Sequence, residues 1–382
     1  MKLYNTYSEK LETLNLREKI SIYVCGITPY DTTHLGHAFT FITYDALIRY
    51  LRFLGAHVTY VQNVTDIDDD ILIRAKAVGT TWKKLGESET EKHLKNMDAL
   101  GTLRPDYYPK ATDNIEKMIA IIKKLLIKKL AYESHGNVYF EVKKDKNFGK
   151  LSKFGYRAML EIANERGNFP LDRHKRDPLD LVLWQKQHPN EPSWNSPWGK
   201  GRPGWHIECS AMSMRYLGPT ITIHGGGSDL IFPHHEAEIA QSQNTTGKKF
   251  VKIWMHAGMV FYEGKKMSKS LGNMIFVSDL IKKFDATTIR ILLLSHNYRL
   301  PWNFEDDELT AAQKVSKLFE KYVSKTPLSY QEVSKSAPIF FKNLDNDFCT
   351  RQAINTLIKL VKSKKITGDV LNTCLQSIGI IY

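Results

Sequence analysis

The chain has little cysteine: four residues in 382, Cys25, Cys209, Cys349 and Cys374, with no C-x-x-C pair among them. So sparse a set makes no disulfide framework, and it excludes the small secreted scaffolds that depend on crosslinks. It also supplies no generic metal motif. Long apolar runs are missing, which excludes a bilayer-spanning helix read from sequence. The opening residues Met1-Lys2-Leu3-Tyr4-Asn5 lack an apolar signal core, so the cytoplasm is the expected compartment. Acidic residues are outnumbered: 54 Lys and Arg against 41 Asp and Glu leave a net charge of +13. That excess suits a polyanionic partner such as RNA, although a lysine-rich genome gives the same balance. The excess is uneven. Residues 301–382 hold 11 basic and 9 acidic side chains, so most of it lies upstream.

What is present is a chain long enough for two or three domains. Ser21 to Cys25 reads as an apolar strand, followed by Gly26-Ile27-Thr28-Pro29-Tyr30-Asp31-Thr32-Thr33-His34-Leu35-Gly36-His37 and then a helix carrying Phe39, Phe41, Ile42, Tyr44, Ala46, Leu47, Tyr50 and Leu51. A strand feeding a helix through such a turn puts backbone N–H groups and two imidazoles at a helix N-terminus, where polyphosphates bind. A second strand, His57 to Val64, completes a strand–helix–strand unit of a parallel sheet, with ligands expected at the strands' carboxyl ends. The acidic run Asp66 to Asp70 reads as a cap on the next helix rather than a metal site. Ile71 to Leu130 is mostly helical, and Lys143 to Arg176 is a polar insertion. Asp177 onward resumes the sheet domain. There, a loop dense in Trp, Pro and Gly (192–204) delivers Trp205-His206-Ile207-Glu208-Cys209 into a helix. Thr220 to His224 is a strand ending in Gly225-Gly226-Gly227, and Phe250 to His256 is another. From Trp302 the chain reads as all-helical, broken between Lys325 and Pro338.

His234 and Glu238 stand four apart and share one helix face, while Cys25 and Cys209 sit at element junctions. Two thiolates, an imidazole and a carboxylate would suit tetrahedral Zn²⁺. Spacing alone leaves this open against two buried cysteines and a surface His/Glu pair.

His34-Leu35-Gly36-His37 together with Lys266-Met267-Ser268-Lys269-Ser270, on a loop bounded by Gly264 and Gly272, resembles the HIGH and KMSKS signatures of class I aminoacyl-tRNA synthetases. Cys25-Gly26, Trp205 to Ser210, Gly225 to Gly227 and Ile231 to Glu236 extend the likeness over nearly the whole chain, to the cysteinyl-tRNA synthetase family. The resemblance implies an α/β class I Rossmann fold. Its expected parts are a first catalytic half (1–100), an inserted connective subdomain (101–176), a second half (177–257), a loop and stem-contact region (258–301) and a helical domain (302–382). It implies Zn²⁺ held by Cys25, Cys209, His234 and Glu238, and ATP, with Mg²⁺, as co-substrate. His34, His37, Lys266 and Lys269 are the implied catalytic residues, and Gly36, Gly225, Gly226, Gly227, Lys266, Ser268 and Lys269 the ATP contacts. Gly26, Thr65, Trp205 and Asp229 are the implied L-cysteine pocket.

The acceptor divides into alternatives. About a hundred residues follow Ser270, fewer than the family's full pattern, so an anticodon-reading module is expected to be missing and tRNA(Cys) to be met through its acceptor stem by a monomer. The stretch Ile27 to Asp31 with Thr33 to His37 looks closer to a paralogue, the mycothiol-pathway ligase, which gives activated cysteine to the amine of glucosaminyl-inositol. Glu238 instead matches the fourth zinc ligand of the synthetases. An inactive binding paralogue is disfavoured by the intact signatures.

Overall fold

A computed structural model describes every residue except Thr32, Ser268, Lys269, Ser270, Lys325 and Pro327. The expectations for Ser268 and Lys269 therefore lie outside the described residues.

Ile20–Ile27 (β1) and Val58–Val64 (β2) are rich in Ile, Val and Tyr and buried along most of their length, as strands covered on both faces must be. Leu35–Phe53 (α1) joins them and is itself buried on most sides. Asp69–Ala77 (α2) follows, capped by Asp68, whose carboxylate accepts the Asp70 N–H at 2.9 Å; the acidic run is a cap, as its spacing suggests. After the insertion come Trp205–Leu217 (α3), Ile221–Gly227 (β3), Glu236–Thr246 (α4) and Val251–Ala257 (β4). The four strands form one parallel sheet in the order β4-β3-β1-β2. The chain leaves β1 for β2 on one side and returns as β3 on the other. The carboxyl ends of β1 and β3 thus flank the topological switch point, where open α/β sheets bind ligands.

The two-residue period of β1 decides which side each residue serves. Ile20, Ile22 and Val24 pack into the core beneath α1, whereas Tyr23 and Cys25 pack into the core that holds Ile207, Cys209 and Ala237 of α3 and α4. A slip of one residue would turn Cys25 away from α3 and α4.

The insertion is built on a four-stranded antiparallel sheet ordered Ala131–Ser134, Asn137–Phe140, Leu181–Lys186, Gly201–Pro203. It runs past the boundary expected at residue 177, and the parallel-sheet domain resumes at α3. An apolar run such as Leu181–Trp184 reads the same for either sheet type, and only its partner, Val182 opposite Tyr139, tells them apart. Two further differences concern the tail. Trp302–Phe304 is a short strand paired with Val260–Tyr262, not helix. Tyr330–Ser336 is helix inside the expected break, started by a reciprocal Ser329/Glu332 capping box. Of the remaining tail helices, Pro338–Asp345 and Gly368–Ser377 pack against α1, where the Tyr50 hydroxyl donates to Asp345 at 2.9 Å.

Candidate active site and metal centre

His34 caps α1. Its Nδ1 accepts the N–H groups of Gly36 at 3.1 Å and His37 at 3.4 Å, a role usually filled by Ser, Thr, Asp or Asn. With Nδ1 accepting, the ring proton sits on Nε2 and is free to be donated to a ligand. The His37 ring stacks on His34 at 3.8 Å. Burial pushes both imidazoles down, His34 to about 2 with help from His37 and Lys266, and His37 to about 4 against the attraction of Asp229 and Asp31. Both are neutral donors at pH 7. Gly36 leaves room for this stack: a Cβ there would lie 3.0 Å from His34 Cε1 and 3.8 Å from Met267 Cε. The helix start is also tied by backbone to the segment that follows the second signature loop, Leu35 N–H to Ile275 O at 2.8 Å and Val277 N–H to Thr33 O at 3.0 Å.

Cys25, Cys209, His234 and Glu238 converge, one ligand atom of each lying within 4.8 Å of the others, all four buried. Cys25 Sγ is 3.9 Å from Cys209 Sγ and 3.6 Å from Glu238 Oε1, and His234 Nε2 is 3.3 Å from Glu238 Oε1. A tetrahedral zinc with Zn–S of about 2.3 Å and Zn–N or Zn–O of about 2.0–2.2 Å spaces its donors about 3.3–3.8 Å apart. The donor set fits. Charge reinforces the fit: Glu238 Oε2 is buried without a hydrogen bond, and burial drives the Glu238 carboxyl and the Cys25 thiol well up. Burial also opposes ionisation of Cys209, yet Cys25 and His234 bring it down to about 6. A divalent cation reverses such costs and holds thiolates and carboxylate ionised. If His234 ligates through Nε2, its Nδ1 carries the proton and donates to His206 Nδ1, 3.0 Å away, an orienting contact typical of metal-bound histidine.

A cavity of about 600 Å³ adjoins these donors. Cys25, Gly26, His34, Gly36, His37, Trp205, Gly227, Asp229 and Lys266 all line it. A second cavity of about 510 Å³ shares Trp205, Asp229 and Lys266 with it and reaches His234 and Glu208. The Trp205 ring lies 4.4 Å from that of His234 and lines both cavities. Gly26 is required by close approach, since a Cβ would meet Asn63 O at 1.7 Å. Besides Cys209 and Glu238, three expected site residues stand back from the lining. Thr65 is buried and its hydroxyl receives Asn63 Nδ2 at 3.3 Å. Gly225 fits under the Met255 carbonyl and the Tyr44 hydroxyl, and Gly226 lies against Cys25 and Leu230. These two glycines serve strand packing, and only Gly227 faces the cavity.

Sequence reasoning missed three histidines. Cys25, His224, His235 and Glu238 form a second convergent set, with Cys25 Sγ 3.2 Å from His235 Nε2 and 3.6 Å from His224 Nε2. His235 Nδ1 is 2.8 Å from His256 Nε2, whose ring reaches the Thr6 hydroxyl at 2.8 Å. A signal existed for two of them: His224 precedes the expected triple glycine and His235 follows the expected ligand His234, whereas His256 reaches the site only through strand pairing with Gly226. Among the described residues no helix is long and apolar enough to cross a membrane.

A family model described as the tRNA synthetases class I (C) catalytic domain matches residues 12–314. The cysteine--tRNA ligase of Thermodesulfovibrio yellowstonii is 44% identical over 384 residues, covering 95% of this chain and 78% of the relative. That of Syntrophobacter fumaroxidans is 43% identical, covering 94% and 76%, and that of Carboxydothermus hydrogenoformans is 40% identical, covering 100% and 87%. Among solved structures, Mycobacterium tuberculosis methionyl-tRNA synthetase in complex with methionyl-adenylate superposes with a TM-score of 0.66 at 13% identity, over 95% of this chain and 90% of that one. An Agrobacterium radiobacter LeuRS in a ternary complex with tRNA gives 0.65 at 11%, over 94% and 82%. At that identity these two speak for the fold alone, a class I synthetase fold. Sequence and fold agree, and the chain belongs to the class I cysteinyl-tRNA synthetase family.

Proposed function

We propose that the chain activates L-cysteine with ATP and transfers it to the 3′ end of tRNA(Cys). The observation that carries this reading is a thiol-bearing donor set whose Cys25 lines the same cavity as two neutral helix-start imidazoles and Lys266. When bound, zinc supplies a soft contact for the substrate thiolate, which separates cysteine from serine by bond type. A pocket of apolar contacts rejects a near-isostere poorly. Trp205 walls the substrate methylene and Asp229 pairs with its ammonium, with Gly26 completing the amino-acid pocket and Thr65 held behind it by Asn63. The substrate carboxylate attacks the α-phosphorus of ATP, pyrophosphate leaves, and cysteinyl-adenylate forms. His34 Nε2–H and His37 donate to the phosphates as charge develops there. Lys266 and Lys269 hold the departing pyrophosphate, Gly227 lies beside the nucleotide, and Mg²⁺ accompanies ATP. A terminal ribose hydroxyl of tRNA then attacks the cysteinyl carbonyl and AMP leaves. We assign the protein to the cytoplasm, as a monomer.

The Glu238 carboxylate, within ligating distance of its three partners, and the relatives, all named cysteine--tRNA ligase, favour tRNA over an aminosugar amine. The first test is ATP–pyrophosphate exchange. Exchange dependent on cysteine, and at least ~10³-fold weaker with serine, is expected. No exchange with cysteine would overturn the reading.

A further inference from the structure

Asp229 and His234 belong to one irregular turn, Ser228–Leu230 followed by Ile231–His235. The backbone of this turn cannot satisfy itself. In a regular helix the Asp229 carbonyl would receive the N–H of residue 233, but that residue is Pro233 and has none. The Phe232 carbonyl would receive the N–H of Glu236, but Phe232 is extended (φ −139°, ψ 135°) and the Glu236 N–H goes to Ile231 O and Pro233 O instead. Two carbonyls are thereby freed, one at the residue proposed to bind the substrate ammonium and the other two residues before a candidate metal ligand. Buried carbonyls need partners.

One side chain answers both. Arg166, just beyond the inserted helix Tyr156–Asn164, donates through Nη1 to Asp229 O and to Phe232 O, the latter at 2.5 Å. Arg166 is held in turn by its own N–H to Ala163 O at 2.9 Å, before Gly167 turns the chain at φ 77°. It stands in the wall between the second cavity and a third, of about 290 Å³, that lies behind the turn. The motif residues themselves give no sign of the contact.

We propose that Arg166 is a positioning residue: reaching from the insertion, its guanidinium fixes the two freed carbonyls and thereby sets where the Asp229 carboxylate and the His234 imidazole point. This rests on the function proposed above for Asp229 and His234. The insertion thus has a part in amino-acid recognition without touching the substrate.

The test compares Arg166→Ala, Arg166→Lys and, as a control on the same segment, Arg157→Ala, whose side chain is 93% exposed. Two readouts are taken on the full chain: Zn²⁺ affinity by competition with a chromophoric chelator, and the Michaelis constants for cysteine and ATP in pyrophosphate exchange. Arg166→Ala is expected to weaken Zn²⁺ about fivefold and to raise the KM for cysteine about tenfold. The KM for ATP should stay within twofold and the melting temperature close to that of the parent. Arg166→Lys, keeping one donor, should recover most of both losses, and Arg157→Ala should change neither. Unchanged zinc affinity and cysteine KM in Arg166→Ala would overturn the proposal. So would a rise in both Michaelis constants with a fall in melting temperature, the mark of a merely structural arginine. A parent chain that binds zinc but exchanges no pyrophosphate would refute the function proposed above while the zinc comparison still decides Arg166.

Discussion

His234 Nε2 stands 3.3 Å from Glu238 Oε1, and the same oxygen lies 3.6 Å from Cys25 Sγ, so one carboxylate oxygen faces both an imidazole and a thiol. All three groups are buried, and a cation among them offsets the cost of burying them charged. Replacing Cys209 by Ser removes a soft ligand. The expected result is zinc content below about a tenth of the parent and a loss of cysteine-dependent exchange of at least ~10²-fold, with far-UV circular dichroism unchanged. Metal analysis finding full zinc in Cys209→Ser would remove this residue from the ligand set.

His34 does two jobs that substitution can separate. His34→Ala loses both the cap and the Nε2 donor, so stability should fall by about 1 kcal/mol and adenylation by ~10²–10³-fold. His34→Asn restores an acceptor for the Gly36 and His37 N–H groups but offers no donor at the Nε2 position. It should regain the stability and not the rate. Recovery of both in the Asn variant would show that the ring has no part in activation.

The pH dependence follows from burial. His34, His37 and His93, the last 2.8 Å from the Thr33 hydroxyl, are pushed down to about 2, 4 and 3. Folded values below the unfolded one mean that the unfolded chain binds more protons. Their contribution to stability is therefore complete above about pH 6.5 and is lost as pH falls through the window between that value and the folded ones, by about 1.4 kcal/mol per pH unit for each group. Urea titrations at pH 5 and 8 should show the loss, and His93→Asn should reduce it. For the same reason exchange should have no acid limb near pH 6.5 arising from these imidazoles.

Lys266 lines both cavities next to the helix-start histidines. Lys266→Ala should slow adenylate formation by ~10²–10³-fold while equilibrium binding of cysteine changes little. Stopped-flow adenylation at the parent rate would remove Lys266 from pyrophosphate binding.

Much of this was legible in the chain. β1 and β4 follow from apolar runs, the His34 helix start from its turn residues, and the meeting of Cys25, Cys209, His234 and Glu238 from spacing joined to family likeness. The remainder depends on contacts that sequence does not carry. Leu181–Lys186 looks like any buried strand until its antiparallel partner is known. Gly225 and Gly227 are identical letters, and only Met255 O and Tyr44 above Gly225 show that one packs the sheet while the other faces the cavity. Arg166 lies 63 residues from Asp229, in a segment whose composition reads simply as polar loop. Pro233 was the available clue, since a proline in a helical turn announces a carbonyl in need of another donor.

Single-turnover transfer from preformed, enzyme-bound cysteinyl-adenylate, with tRNA(Cys) and glucosaminyl-inositol offered in separate reactions, decides the acceptor. Rapid esterification of the tRNA and no amide with the sugar are expected. Amide formation with the sugar and none with tRNA would contradict the proposed function.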